Sequence, residues 1–138
     1  MKRHLVCGLL LMVTFVFCKG DDLPPKQLLE ENTKKAAAII QGDITASEMP
    51  KGQLAATTLS ITKVFRGPFH KGDSLTYYSF KEQASYADAW RGKTIVVYLA
   101  KRTDSAGVSK WYTATDLAEF IYSDQLEKII VSLLQRQK

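Results

Sequence analysis

Cysteine is almost missing from this chain. It has two, Cys7 and Cys18. Both fall before residue 19, so residues 21–138 cannot form an internal disulfide whatever the redox compartment. Histidine is equally scarce, with His4 and His70 only. A zinc site beyond the first twenty residues would need mostly carboxylates, and the Asp and Glu residues show no clustered spacing. No Gly-rich phosphate loop is present, so neither a metal nor an organic cofactor is expected. Long apolar runs are also lacking: residues 5–17 (LVCGLLLMVTFVF) make the one extended stretch, 13 residues long, whereas a membrane-spanning helix needs about 20. Stability must therefore come from a hydrophobic core, without covalent or metal staples.

What is present begins at the N-terminus. Lys2, Arg3 and His4 precede the apolar run, which ends at Lys19 and is followed by Gly20, two aspartates and Pro24-Pro25. A positive start, a short apolar run and small residues near a cleavage point are the features of a secretory signal. Cys18-Lys-Gly20 suits cleavage after Gly20, and Val16-Phe-Cys18 fits nearly as well. The expected division is a signal over residues 1–20 and one domain over residues 21–138, working in an extracytoplasmic place, periplasmic or secreted. The alternative is a lipoprotein acylated at Cys18, against which the bulky Phe17 argues. Contact with a membrane is expected only in that case.

Removing the signal also removes most of the charge imbalance. The formal net charge is +5, but Lys2, Arg3 and Lys19 lie in the first twenty residues and none of the 14 acidic residues does, so the remainder carries +2. Lys34-Lys35 and Lys101-Arg102 are isolated pairs and make no basic stripe, so nucleic acid is not an expected partner.

Along the remaining chain, residues 26–36 (KQLLEENTKKA) are rich in helix formers. Ala38, Ile40, Gly42 and Ile44 then share one face at period two, which predicts a strand with a bulge or close backbone approach at Gly42. Residues 48–52 are turn chemistry, with Pro50 and Gly52 as breakers. Residues 54–65 (LAATTLSITKVF) form the longest strand candidate. Thr57, Leu59 and Ile61 alternate with polar residues until the phase slips at Lys63 and Val64, where a bulge is expected. A loop over residues 66–73 leads to a strand at 74–80 (SLTYYSF). Residues 81–88 are polar, with room for one helical turn, and Trp90-Arg-Gly92 makes a turn. Residues 94–100 (TIVVYLA) are the most apolar strand and read as central. A polar hairpin-like connection at 101–110 and a short strand at 111–114 follow. A final helix over 124–137 starts with capping-box spacing at Asp124 and Glu127 and carries an apolar stripe of Leu126, Ile129, Ile130, Leu133 and Leu134, read as core packing. The expected fold is mainly β: a five-stranded antiparallel OB-like barrel with an N-terminal helix and a C-terminal amphipathic helix.

Gly72-Asp-Ser-Leu75 spells the nucleophile motif of the GDSL esterases. No histidine follows it to activate the serine, and it precedes a strand where that motif should follow one, so it reads as a turn. The aromatics remain. Tyr77 and Tyr78 must point to opposite faces of their strand, and Trp90 and Trp111 stand at strand entrances, where an aromatic either closes a barrel end or meets a ligand.

Residues 36–44 (AAAIIQGDI), 59–67 (LSITKVFRG), Gly72-Asp73 before a strand and 90–99 (WRGKTIVVYL) together resemble the netrin-like or TIMP-like OB-fold domains, in their bacterial form. The resemblance covers residues 36–99 and rests on turns and strands, not on catalytic groups. Metazoan inhibitors of this type insert an N-terminal Cys-x-Cys into a metalloprotease. Cys18-Lys-Gly20 lacks the second cysteine, and their internal disulfides are missing too, so inhibition does not carry over. The resemblance implies a non-catalytic binding or assembly module whose partner is a protein, with Phe65, Phe69, Tyr77, Tyr78, Phe80, Trp90 and Trp111 as candidate contact residues. The alternatives are a small extracytoplasmic enzyme or enzyme inhibitor using scattered carboxylates, and an envelope protein anchored through Cys18.

Overall fold

A computed structural model describes residues 23–48, 54–80, 90 and 92–137. The expected signal at 1–20 with Cys18, most of the turn expected at 48–52, and the helical turn expected at 81–88 with Tyr86 lie outside the described residues. Among the described residues no helix is long and apolar enough to cross a membrane.

Pro24-Pro25 leads into helix α1, Lys26–Lys35, where the Pro25 carbonyl accepts from the amides of Leu28 and Leu29. Lys34 and Lys35 occupy the last turn, where cations suit the helix dipole. The carbonyls left over at that end meet a third cation. Arg66 Nη1 donates to the carbonyls of Thr33 (2.6 Å) and Ala36 (3.1 Å), while Nη2 donates to Gln137 Oε1 (2.6 Å). One guanidinium thus ties the end of a strand to the ends of both helices.

Five strands close into a barrel: β1 (Ala38–Glu48), β2 (Leu54–Arg66), β3 (Ser74–Phe80), β4 (Thr94–Thr103) and β5 (Ser109–Thr113). The order around it is β1-β2-β3-β5-β4, and β4 pairs back onto β1. This fits the expected OB-like architecture broadly, with one correction. The barrel is mixed, because β3 and β5 pair in parallel at Tyr78 and Tyr112. The reason is parity: strand direction cannot alternate all the way round a closed ring of five, so one neighbouring pair must run parallel. A fully antiparallel five-stranded closed barrel was never available.

β2 carries irregularities where the sequence indicates, opposite Ile39 to Gly42 of β1. Register shifts fall between Gln41 and Gly42 and again between Ile39 and Ile40, leaving Thr62 and Phe65 as extra residues on β2. These irregularities flank Lys63 and change the inward parity of β2 from Leu59 and Ile61 to Val64. A Cβ on Gly42 would lie 2.7 Å from the Ser60 carbonyl oxygen, so the strands approach as closely as they do only because the side chain is missing. Gly67, at φ +115°, turns the chain out of β2 against Ala38.

Two cores result. Ala38, Ile40, Ile44, Leu59, Ile61, Leu75, Tyr77, Ile95, Val97 and Leu99 fill the barrel. Outside it, Ile39, Val96 and Tyr98 are covered by Leu29 and Ala36 and by the C-terminal helix α2, Asp124–Arg136, through Leu126, Ile130 and Leu133. That explains the unbroken apolar run of β4: it is buried on both faces. The expected stripe on α2 does face this core. Its cap differs from expectation. Ser123 Oγ accepts from the Leu126 amide, while Glu127 pairs with Lys63 Nζ at 2.8 Å. Ser123 is extended at the N-cap and places its hydroxyl over the first turn, so Asp124 is already inside the helix.

Two further elements depart from the sequence reading. β4 and β5 reach into the connection expected at 101–110, leaving only 104–108 as turn, closed by the Asp104 amide on the Val108 carbonyl and by Asp104 Oδ1 on the amides of Ala106 and Val108. This part of the hairpin is exposed on both faces, so no apolar alternation marks it. A sixth strand, β6 (Glu119–Ile121), was not anticipated. It pairs with Ile95–Val97 of β4 and continues the line of β5 after a break at Tyr98, whose carbonyl accepts from Ala114 and whose amide donates to Ala118. The intervening residues step outward onto α1, held by buried Asn32: its Nδ2 donates to the Leu117 carbonyl (2.8 Å) and its Oδ1 accepts from Thr115 Oγ1 (2.7 Å).

Gly42→Ala should lower the stability of the domain by about 1–3 kcal/mol, the range for forcing extra volume into a packed site. A denaturant titration with an unchanged midpoint would contradict the close approach.

Candidate functional site

The seven expected contact residues separate into different environments. Tyr77 is fully buried inside the barrel and cannot touch a partner. Its hydroxyl donates to Glu119 Oε2, a carboxylate that β6 places opposite inward-facing Val97. Burial, and next the negative charge of Glu119, hold the Tyr77 phenol well above the ordinary tyrosine range. Phe65 packs on the outer core beneath Lys63, whose Nζ is 5.1 Å from the ring centre, and borders an open depression of about 510 Å³ with Arg66, Val131 and Leu134. Trp90 packs against the inner core near the start of β4, beside an open depression of about 310 Å³ lined also by Glu119, Phe120 and Tyr122. Of Phe80, the described part is the backbone, which pairs with Leu54.

Phe69, Trp111 and Tyr78 are brought to one region. Phe69 reaches from the β2–β3 loop to meet Trp111 edge-on at 5.1 Å, and both pack against the inner core. Trp111 lies opposite Lys101, beyond Leu99, so it sits toward the other end of β4 from Trp90. Tyr78, on the outside of the barrel, meets Tyr112 at 5.7 Å.

Strand alternation and register build the rest of this face. Lys110 and Tyr112 share the outer side of β5, opposite Arg102 and Ala100 of β4. Ala100 offers no bulk beside Tyr112, and Arg102 reaches across the diagonal until its Cζ is 5.6 Å from the Tyr112 ring centre. Lys110 Nζ lies 5.3 Å from the centre of Tyr78, and on the other side of the hairpin Lys101 Nζ lies 5.9 Å from that of Trp111. These are cation–π distances, each worth about 0.5–1 kcal/mol when exposed. The ion pairs among the described residues are Lys35 with Glu31, Lys63 with Glu127, and His70 with Asp73. None of them neutralises Lys101, Arg102 or Lys110.

Sequence reasoning missed Arg102 and Lys110 as site residues. The alternation Lys110-Trp-Tyr112 was a usable signal, but the cross-strand register that brings Lys101-Arg102 opposite it was hidden while 101–110 read as a loop.

Gly72-Asp73 is a turn, as read. The Asp73 amide donates to the His70 carbonyl, Asp73 Oδ2 accepts from the His70 amide, and Ser74 opens β3 opposite Ser60. Among the described residues no group of three His, Cys, Asp or Glu side chains could hold a metal ion. What this surface can do is bind: the two tyrosines supply rigid contact area, and the cations supply charge and hydrogen-bond donors. Compared with protein-family models and with curated proteins, the chain finds no match.

Burial also pushes the Tyr98 phenol up to about 12. A raised phenol pKa means the folded state favours the neutral form. The stability contributed by Tyr77 and Tyr98 is then fully present below the unfolded value of about 10 and is lost as pH rises beyond it through the raised folded values. In an alkaline titration followed by phenolate absorbance, these two should ionise after exposed tyrosines, with unfolding setting in above about pH 10. Tyr98→Phe should remove one late step. Simultaneous ionisation of every phenol in the folded protein would contradict the assignment.

Proposed function

We propose that this protein is an exported, non-catalytic binding or assembly module, an OB-like barrel of the netrin-like or TIMP-like kind, which engages a protein partner through the outer face of β3, β5 and the β4–β5 hairpin. The observation that carries this reading is the Tyr78–Tyr112 pair bordered by Arg102 and Lys110. Tyrosine and arginine are the residues on which protein interfaces most often concentrate their binding energy. An open face also suits protein contact better than a small-molecule reaction, which wants an enclosed pocket.

The export reading rests on the basic start and short apolar run of residues 1–20. Its test is the intact mass and first residue of the protein recovered from its native host. A start at Lys19 or Asp21 in the extracytoplasmic fraction, with no added mass, is expected. A start at Cys18 carrying acyl chains would place the protein on a membrane, and an uncleaved Met1 start in the cytoplasm would overturn export.

For the binding face, in-host crosslinking of the wild type should capture a partner that the folded double variant Tyr78→Ser/Tyr112→Ser does not. Equal capture by both would move the working surface elsewhere.

A further inference from the structure

Arg102 and Lys110 are directly opposite each other in the β4–β5 register. Like charges at facing positions of an antiparallel pair repel and destabilise the sheet. Free proteins commonly relieve such a pair with a carboxylate nearby, yet none of the ion pairs among the described residues involves either one. The carboxylate nearest in sequence, Asp104, has Oδ1 committed to two amides of its own turn. Lys101, paired with Trp111, occupies the other face of the hairpin and leaves these two cations to themselves.

Resting on the binding face proposed above, we infer that its partner presents an acidic polypeptide segment, whose carboxylates sit between Arg102 and Lys110. Such a segment converts a repulsive pair into two attractive ones, and the guanidinium can hold a carboxylate through two parallel hydrogen bonds. The rings contribute by holding the cation stems. A lysine or arginine laid along an aromatic face has less freedom to lose on binding than one extended into water. The same arrangement argues against single-stranded nucleic acid. Bases bind such modules by stacking on open aromatic faces, whereas here Tyr78 and Tyr112 each carry a cation over the ring. Two cations on a chain of net +2 beyond residue 20 are also few for a phosphate backbone.

The test uses the protein as processed by its host and a fluorescently labelled peptide of alternating glutamate and valine, read by anisotropy. Binding is expected, weakening as salt rises, and falling by about ten-fold or more in Arg102→Glu/Lys110→Glu, since charge reversal replaces attraction with repulsion. Lys26→Glu/Lys128→Glu, on α1 and α2, is the control and should bind as the wild type does. Both double variants alter exposed residues, and unchanged thermal midpoints establish that each is folded. The inference is overturned if the peptide does not bind, if the face reversal leaves its affinity unchanged, or if an oligothymidylate of equal charge binds as tightly. Should the peptide fail while Tyr78→Ser/Tyr112→Ser still loses its crosslinked partner, the face remains a binding face and only its acidic preference falls.

Discussion

The pairing of β1 with β4 is the contact on which the other parts of this structure depend. It runs from Ala37, whose amide donates to the Leu99 carbonyl, to Ile44, whose amide and carbonyl engage Lys93 and Gly92. Without it the five strands would form an open sheet with two exposed edges. With it the inner faces of β1 and β4 enclose the barrel core, and their outer faces become the floor onto which both helices pack. The same pairing also explains Gly42, which meets Ile95 on one side and Ile61 on the other at the point where the strands bend most closely together.

Closure then constrains the strands that follow. Because the ring holds an odd number of strands, β5 must run parallel to β3. Two parallel strands can align over only a short length here, and the register records one pair, Tyr78 with Tyr112. The junction where the barrel is least extensively hydrogen-bonded is therefore also where two tyrosines meet on its outside. Phe69 and Trp111 pack just inside it against the core, and an aromatic pair of this kind adds about 0.5–1.5 kcal/mol beyond area burial. A junction supported by rings from within and presenting rings outward is well suited to rigid contact with a partner, because little of it has to be ordered on binding.

Three polar connections tie these parts together. Asn32 fixes the outward step between β5 and β6. Arg66 supplies the carbonyls at the end of α1 and reaches the end of α2. Tyr77 and Glu119 satisfy each other inside the barrel. Each joins parts of the chain distant in sequence, so each stabilises the assembled domain and none of the isolated elements.

The sequence by itself determined the elements whose signals are local. The helix at Lys26–Lys35 follows from composition, the long β2 with its irregularity around Lys63 from alternation and phase, the doubly buried β4 from an unbroken apolar run, and α2 from its stripe. It also determined that no disulfide within residues 21–138 contributes, since those residues contain no cysteine. Tertiary structure decided what depends on pairing between distant residues. Parity imposed the parallel junction, the backbone of Tyr98 split β5 from β6, and the position of Ser123 over the first turn made it the cap in place of Asp124. The candidate face belongs to this second group. Tyr77 and Tyr78 are equivalent in sequence, but barrel closure buries the first and leaves the second outside. Arg102 and Lys110 look like ordinary loop charges until cross-strand register sets them opposite each other, because alternation specifies the face a residue occupies and only pairing specifies its neighbour.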